Sequence, residues 1–255
     1  MRSIIIFLPI LFVSCAVRPP IPSVPSHRTP EPTARVYKPT GEWVIKDVTD
    51  LNVLKNKLGA TVYKQGPSYI VNMNGGIIDG IKQPGTGNQD ENQTPLLRAK
   101  IPLIIKNGFI KNNKDAATFY AADSGVENIT WLTVGEDGVS TAEGAKNFRV
   151  INCEFINNKM GDKSIQLNEA DGARVERNMV YAGITGARIG KIDYSSTRDK
   201  AICSDNTFIG VDTAFNIAKV QLTVEKNNSY RNVRIPFKVT KGASVKNADG
   251  KVENY

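Results

Sequence analysis

Between Ile105 and Val224 one short pattern returns six times: an aliphatic residue, a polar residue two places on that is often asparagine, then a large apolar residue. Ile105, Asn107 and Ile110 make one copy, and Val126, Asn128 and Trp131 the next. Val150, Asn152 and Phe155 follow, then Val175, Arg177 and Val180. Ile202 with Ser204, and Val224 with Lys226, open two weaker copies. The opening residues stand 21, 24, 25, 27 and 22 apart. A period of that size signals a solenoid, because one such unit cannot bury its own apolar face and must stack on its neighbours. Several copies alternate apolar and polar residues and are rich in β-branched side chains, which is strand patterning. A helical repeat is excluded by the lack of a period near 3.6 residues, and leucine-rich repeats by the shortage of leucine. The expected fold is therefore all-β, a right-handed parallel β-helix over residues 71–240.

In such a fold rungs stack about 4.8 Å apart, with apolar side chains in line on the inside. Asparagines at equivalent places can bond to one another along a turn. Asn107, Asn128 and Asn152 are accordingly read as structural, not catalytic.

The flanks have other compositions. Met1-Arg2-Ser3 precedes an apolar run from Ile4 to Val13 that is broken by Pro9. About ten residues give roughly 15 Å of helix, too short for a bilayer core of about 30 Å, so the run reads as an export signal. Leu11 to Cys15 resembles a bacterial lipobox, with Phe12 departing from its usual leucine, and this implies a lipid on Cys15; an ordinary cleaved signal is the alternative. Residues 1–15 are thus a signal. Residues 16–40, with Pro19, Pro20, Pro22, Pro25, Pro30, Pro32 and Pro39, are an extended tether that cannot bury a core. His27, the one histidine, falls in that tether, so the folded part has none for catalysis. Residues 41–70 form an N-terminal cap, in which Val48 to Leu58 suits an amphipathic helix that would cover open strand edges. Residues 241–255 are a polar tail expected to be loose. Cys15, Cys153 and Cys203 make neither a disulfide framework nor a metal-ligand spacing.

Five to eight residues past each large apolar residue, chargeable side chains recur. Asp115 follows Ile110; Glu136 and Asp137 follow Trp131; Asp162 and Lys163 follow Phe155; Arg188 follows Val180; Asp212 follows Thr207. Stacked coils would bring them to one face. Asp115, Glu136 and Asp137 would offer a hard cation, Ca2+, its oxygen ligands. In β-elimination from a uronate, bound Ca2+ neutralises the carboxylate and stabilises the developing enolate. Lys163 is the easier Brønsted base, because a guanidinium stays protonated, and Arg188 would hold substrate carboxylate. Asp162 would also contact substrate. Charged residues are equally the ordinary furniture of solvated turns.

Residues Glu127 to Gly138, with Val134-Gly135-Glu136-Asp137 at their centre, resemble a segment of the pectate lyases of polysaccharide lyase family three. Gly161 to Asn168 resembles that family's next block, Asp115-Ala116-Ala117 its upstream calcium aspartate, and Asn74 to Gly80 the opening rung of related β-helix enzymes. The resemblance spans Asn74 to Arg188. It implies a β-helix, calcium at Asp115, Glu136 and Asp137, and a catalytic role near Lys163. The family's later block carries a lysine that Gly183 to Arg188 lacks, and its arginine is displaced by one. The lysine after the Glu-Asp block is also missing, with Glu143 nearby.

Three functions fit. The first is a calcium-dependent lyase of acidic polysaccharide such as pectate. The second is a catalytically inactive carbohydrate-binding or adhesion lipoprotein on that scaffold. The third is an envelope protein-interaction factor of phage or bacterial origin. The net charge of +8 suits a polyanion partner. No basic-aromatic nucleic-acid motif occurs, so nucleic acid is not an expected partner. A monomer outside the cytoplasm, in the cell envelope or secreted, is expected.

Overall fold

The computed structural model describes residues 27–40, 42–80, 96–113, 117–134, 137–156, 163–190, 200–220, 222–240, 242–247 and 249–254. They form a parallel β-solenoid of about five turns, 58% strand and 6% helix. Each turn contributes to three faces. The first face stacks Ser68–Asn72, the starts of Leu103–Asn113 and Gly125–Val134, then Arg149–Ile151, Ala173–Glu176, Lys200–Ser204 and Leu222–Lys226. The second stacks Ile77–Asp79, the later parts of those two long strands, Glu154–Ile156, and the starts of Met179–Ile189 and Thr207–Ile217. The third runs through Leu97–Ala99, Ala117–Phe119, Asp137–Thr141, Lys163–Leu167, the ends of Met179–Ile189 and Thr207–Ile217, and Ile235–Val239.

The repeat sets the core. Val71, Ile105, Val126, Val150, Val175 and Cys203 follow one another in register and are all buried. On the second face Ile78, Ile110, Trp131, Phe155, Val180 and Phe208 do the same. The Trp131 and Phe155 rings stack with centroids 5.7 Å apart and planes 2° apart. Each such side chain contributes about 1.5–3 kcal/mol through burial.

The fifth and sixth copies sit one residue from where their aliphatic pattern puts them. Val175 faces Cys203, while Ile202 faces Arg174 and is exposed. The polar corner places are therefore Asp205 and Asn227, not Ser204 and Lys226. Backbone geometry identifies them: Asn107, Asn128, Asn152, Arg177, Asp205 and Asn227 all have φ between 50° and 58°. That left-handed turn carries the chain from first face to second, and asparagine and aspartate tolerate it best.

The expected asparagine ladder is present. Asn107 Nδ2 donates to Asn72 Oδ1 at 3.0 Å, Asn128 Nδ2 to Asn107 Oδ1 at 2.8 Å, and Asn152 Nδ2 to Asn128 Oδ1 at 3.2 Å. It then moves one place inward. Asn178 Nδ2 donates to Asn206 Oδ1 at 3.0 Å and Asn206 Nδ2 to Asn228 Oδ1 at 2.8 Å.

The flanks are more ordered than their composition indicates. The segment from Val48 to Leu58 is a 3-10 turn, Val48–Leu51, leading into the α-helix Asn52–Leu58; Leu54 and Leu58 pack on the core. An Asp47–Asp50 capping box starts it and Gly59, at φ 66°, ends it. Of the proline-rich stretch, residues 27–40 lie on the solenoid: Val36–Tyr37 extends the second face beside Ile77–Asp79. The C-terminal stretch is not loose. Ser244–Lys246 stacks on Leu222–Lys226, and Val252–Asn254 returns antiparallel beside it. Backbone pairing with an existing edge orders both segments despite their few apolar side chains. Residues 1–26, including Cys15 and the apolar run, lie outside the described residues. No helix among the described residues is long and apolar enough to cross a membrane.

Candidate functional site

Lys163 stands opposite Asp137 on the third face, one rung apart, as the charged stripe requires. Its Nζ lies 3.6 Å from Asp137 Oδ1, and the two side chains are 12% and 14% exposed. This is a nearly enclosed ion pair. Two glycines shape the wall beneath. A Cβ on Gly138 would meet Ser164 O at 2.4 Å and the Phe155 ring at 2.9 Å; one on Gly186 would meet the Phe208 ring at 2.5 Å. The third face thus bends closely over the aromatic stack.

Asp115, Glu136 and Asp162 lie outside the described residues, so of the expected calcium set only Asp137 has described geometry. Among the described residues no three His, Cys, Asp or Glu side chains gather as metal ligands.

Arg188 and Asp212 do not join the Lys163 row. Register places Thr185 opposite Lys163, three residues before Arg188. Asp212 is bound instead by Arg234, whose guanidinium donates to both carboxylate oxygens and holds that carboxyl below its usual range. Equal counts along the chain do not give equal heights here, because the arcs between faces differ in length. Register within a face is fixed by the hydrogen-bond ladder and the pleat.

Arg188 belongs to a different row. Thr118, Ser140, Gln166, Arg188, Asn216 and Lys238 follow one another in register over six consecutive strands, with Arg98 before them. Their neighbours on either side are buried along most of the row, as with Ile165 and Leu167 or Ala187 and Ile189, and half-buried beside Lys238. The row therefore faces outward. Thr118 and Ser140 share a hydrogen bond of 2.8 Å between hydroxyls. Gln166 Oε1 and Arg188 Nε are shielded from solvent yet have no hydrogen-bond partner among the described residues. Such atoms cost free energy until something satisfies them. Of this row only Arg188 belongs to the charged stripe read from the sequence, although Arg98 and Lys238 are charged as well. The available signal is the recurring apolar-polar-apolar triplet: Ala117-Thr118-Phe119, Ile165-Gln166-Leu167, Ala187-Arg188-Ile189, Phe215-Asn216-Ile217, Phe237-Lys238-Val239.

No protein-family model matches this chain, and no curated protein matches it.

Proposed function

We propose that the protein binds a linear acidic, uronate-bearing polysaccharide lengthwise along the outward row of the third face. The observation that carries this reading is the row itself: six consecutive rungs present hydrogen-bonding side chains at one register, with cations at Arg188 and Lys238. A polymer lying along the solenoid axis would meet an equivalent protein group at each step of about 4.8 Å. Arg188 would clamp a carboxylate through its planar fork, and Gln166 Oε1 would accept from a sugar hydroxyl. The basic net charge would draw the polyanion in. Export by the N-terminal signal, with a lipid on Cys15 holding the solenoid at a membrane, would present it outside the cytoplasm.

The contact between Lys163 and Asp137 favours a second reading, a lyase acting on the same polymer. Ca2+, held by Asp137 together with Asp115 and Glu136, would supply neutralisation of the uronate carboxylate. Lys163, after losing its own proton to solvent and with Asp137 turned away from it, would take the proton α to that carboxylate while the bond to the leaving glycosidic oxygen breaks and water protonates that oxygen. Arg188, farther along the strand, would position the neighbouring sugar unit.

Polygalacturonate binding by the full chain tests the first reading. Arg188→Gln is expected to weaken it roughly tenfold, as for loss of one charged hydrogen-bonding group. Unchanged affinity would remove the row from consideration. The lyase reading is tested by release of unsaturated product with Ca2+. It requires that a chelator abolish that release and that Lys163→Ala remove it.

A further inference from the structure

A cleft of about 520 Å3 lies on the first face, roofed by the hairpin tip at Gly66 and Ser68 and lined by Asp123, Asn147, Arg149 and Arg174. Arg149 and Arg174 stand directly opposite one another on adjacent rungs. Like charges so placed repel. Acids beside them offset this in unequal degree. Arg174 donates from Nε and Nη2 to the two carboxylate oxygens of Glu176 at 3.0 and 2.9 Å. Arg149 has, among the described residues, an ion pair, with Nε 3.0 Å from Glu127 Oε1. That buried Nε makes no hydrogen bond among the described residues. The chain makes room for this arginine: a Cβ on Gly125 would fall 2.3 Å from Arg149 Cγ, so the side chain lies across the glycine. The cleft floor is also built. Asn147 Nδ2 donates to Asp123 Oδ1 at 2.9 Å, and Ser68 Oγ donates to the Asp123 carbonyl at 2.6 Å.

We infer that this cleft is a second saccharide site, one that takes a carboxylate-bearing sugar unit on the Arg149–Arg174 step. The under-used guanidinium of Arg149 supplies planar charged donors for a carboxylate. Asp123 and Asn147 supply an acceptor and a donor for ring hydroxyls. The carboxylate of Asp123 in the lining repels a doubly charged phosphate more strongly than a singly charged carboxylate. The site is on a different face from the row of Gln166 and Arg188. It shares with the proposed function only the acidic saccharide as ligand, and one polymer or two could engage the two faces.

Titration of the full chain with trigalacturonate, followed at each backbone amide by NMR, separates the two. Shifts at Gly125, Asn147 and Gly172, with affinity roughly tenfold weaker in Arg149→Gln, are expected. Shifts confined to Ser140, Gln166 and Asn216 would overturn this inference and leave the proposed function standing. Shifts confined to the cleft would support the inference and overturn the row, and no shifts anywhere would overturn both. If Arg149→Gln loses its dispersed spectrum, Arg174→Gln carries the mutational test, since it leaves the packing of Arg149 on Gly125 in place. A variant that folds and binds as the parent does overturns the inference.

Discussion

Arg28 binds Glu154 across 126 residues of sequence: its backbone N–H donates to Glu154 Oε2 at 3.1 Å and its Nε lies 3.4 Å from Oε1. The same guanidinium donates to the Asn128 side chain and, at 2.9 Å, to the Asn152 carbonyl. One residue earlier, the His27 ring meets Tyr181 edge-on with centroids 4.3 Å apart. From there the chain crosses rungs back to Val36–Tyr37, which pairs with the strand at Ile77. Residues 27–37 thus form a strap along the solenoid.

Arg28→Ala is expected to destabilise the domain by about 1–2 kcal/mol, since Glu154 is nearly buried and would lose its counter-charge, while the part-exposed arginine is screened by solvent. Its melting temperature should fall by roughly 2–8 °C. Removal of residues 1–26 should change it far less than removal of residues 1–40. Thermal melts of the three chains decide this, and equal melting of both truncations would show that the strap adds nothing.

The inner ladder should be costly to break. Asn206 is 1% exposed; its Oδ1 accepts from Asn178 N and Nδ2, each at 3.0 Å, and its Nδ2 donates to the Val175 carbonyl at 2.8 Å. Asn206→Ala would strand these groups inside the corner, at about 2–4 kcal/mol. Denaturant unfolding would register it as a lower midpoint with an unchanged slope.

Cys153 and Cys203 are unpaired and buried, and burial pushes both thiols up, Cys153 to about 12. In the unfolded chain each titrates near 8.5. Between those values the unfolded state has lost protons that the folded state keeps, so stability falls as pH rises, by up to about 1.4 kcal/mol per thiol per pH unit. Melting temperature should drop from about pH 9 upward, and more gently in the Cys153→Ala, Cys203→Ala double variant. Parallel curves for the two proteins would contradict this. Alkylation of the folded protein at Cys153 and Cys203 should be slow at neutral pH and rapid in denaturant.

Trp131 and Phe155 form the centre of the stacked core. Trp131→Ala should cost about 3–5 kcal/mol, measurable as a lower urea midpoint. A loss under 1 kcal/mol would mean that the stack collapses without penalty.

The sequence by itself determined the architecture, because copies 21–27 residues apart that also carry strand alternation bury their apolar faces by stacking as a β-solenoid. It also determined the stacking of Trp131 on Phe155 and the structural part of Asn107, Asn128 and Asn152, since equivalent places in equal copies must lie in line. It did not determine where a copy begins once the pattern weakens. Ile202 is the better aliphatic match, yet Cys203 enters the core, because the left-handed corner falls at Asp205 and the ladder counts back from it. Nor did spacing decide which charged side chains share a row. Asp137 and Lys163 do; Arg188 and Asp212 do not, because the arcs between faces differ in length while register is set strand against strand. The docking of Arg28 on Glu154 was decided only by tertiary structure, whereas Arg149 stands opposite Arg174 because each lies one place before the aligned openers Val150 and Val175. That docking joins segments far apart in sequence whose neighbourhood no local pattern encodes.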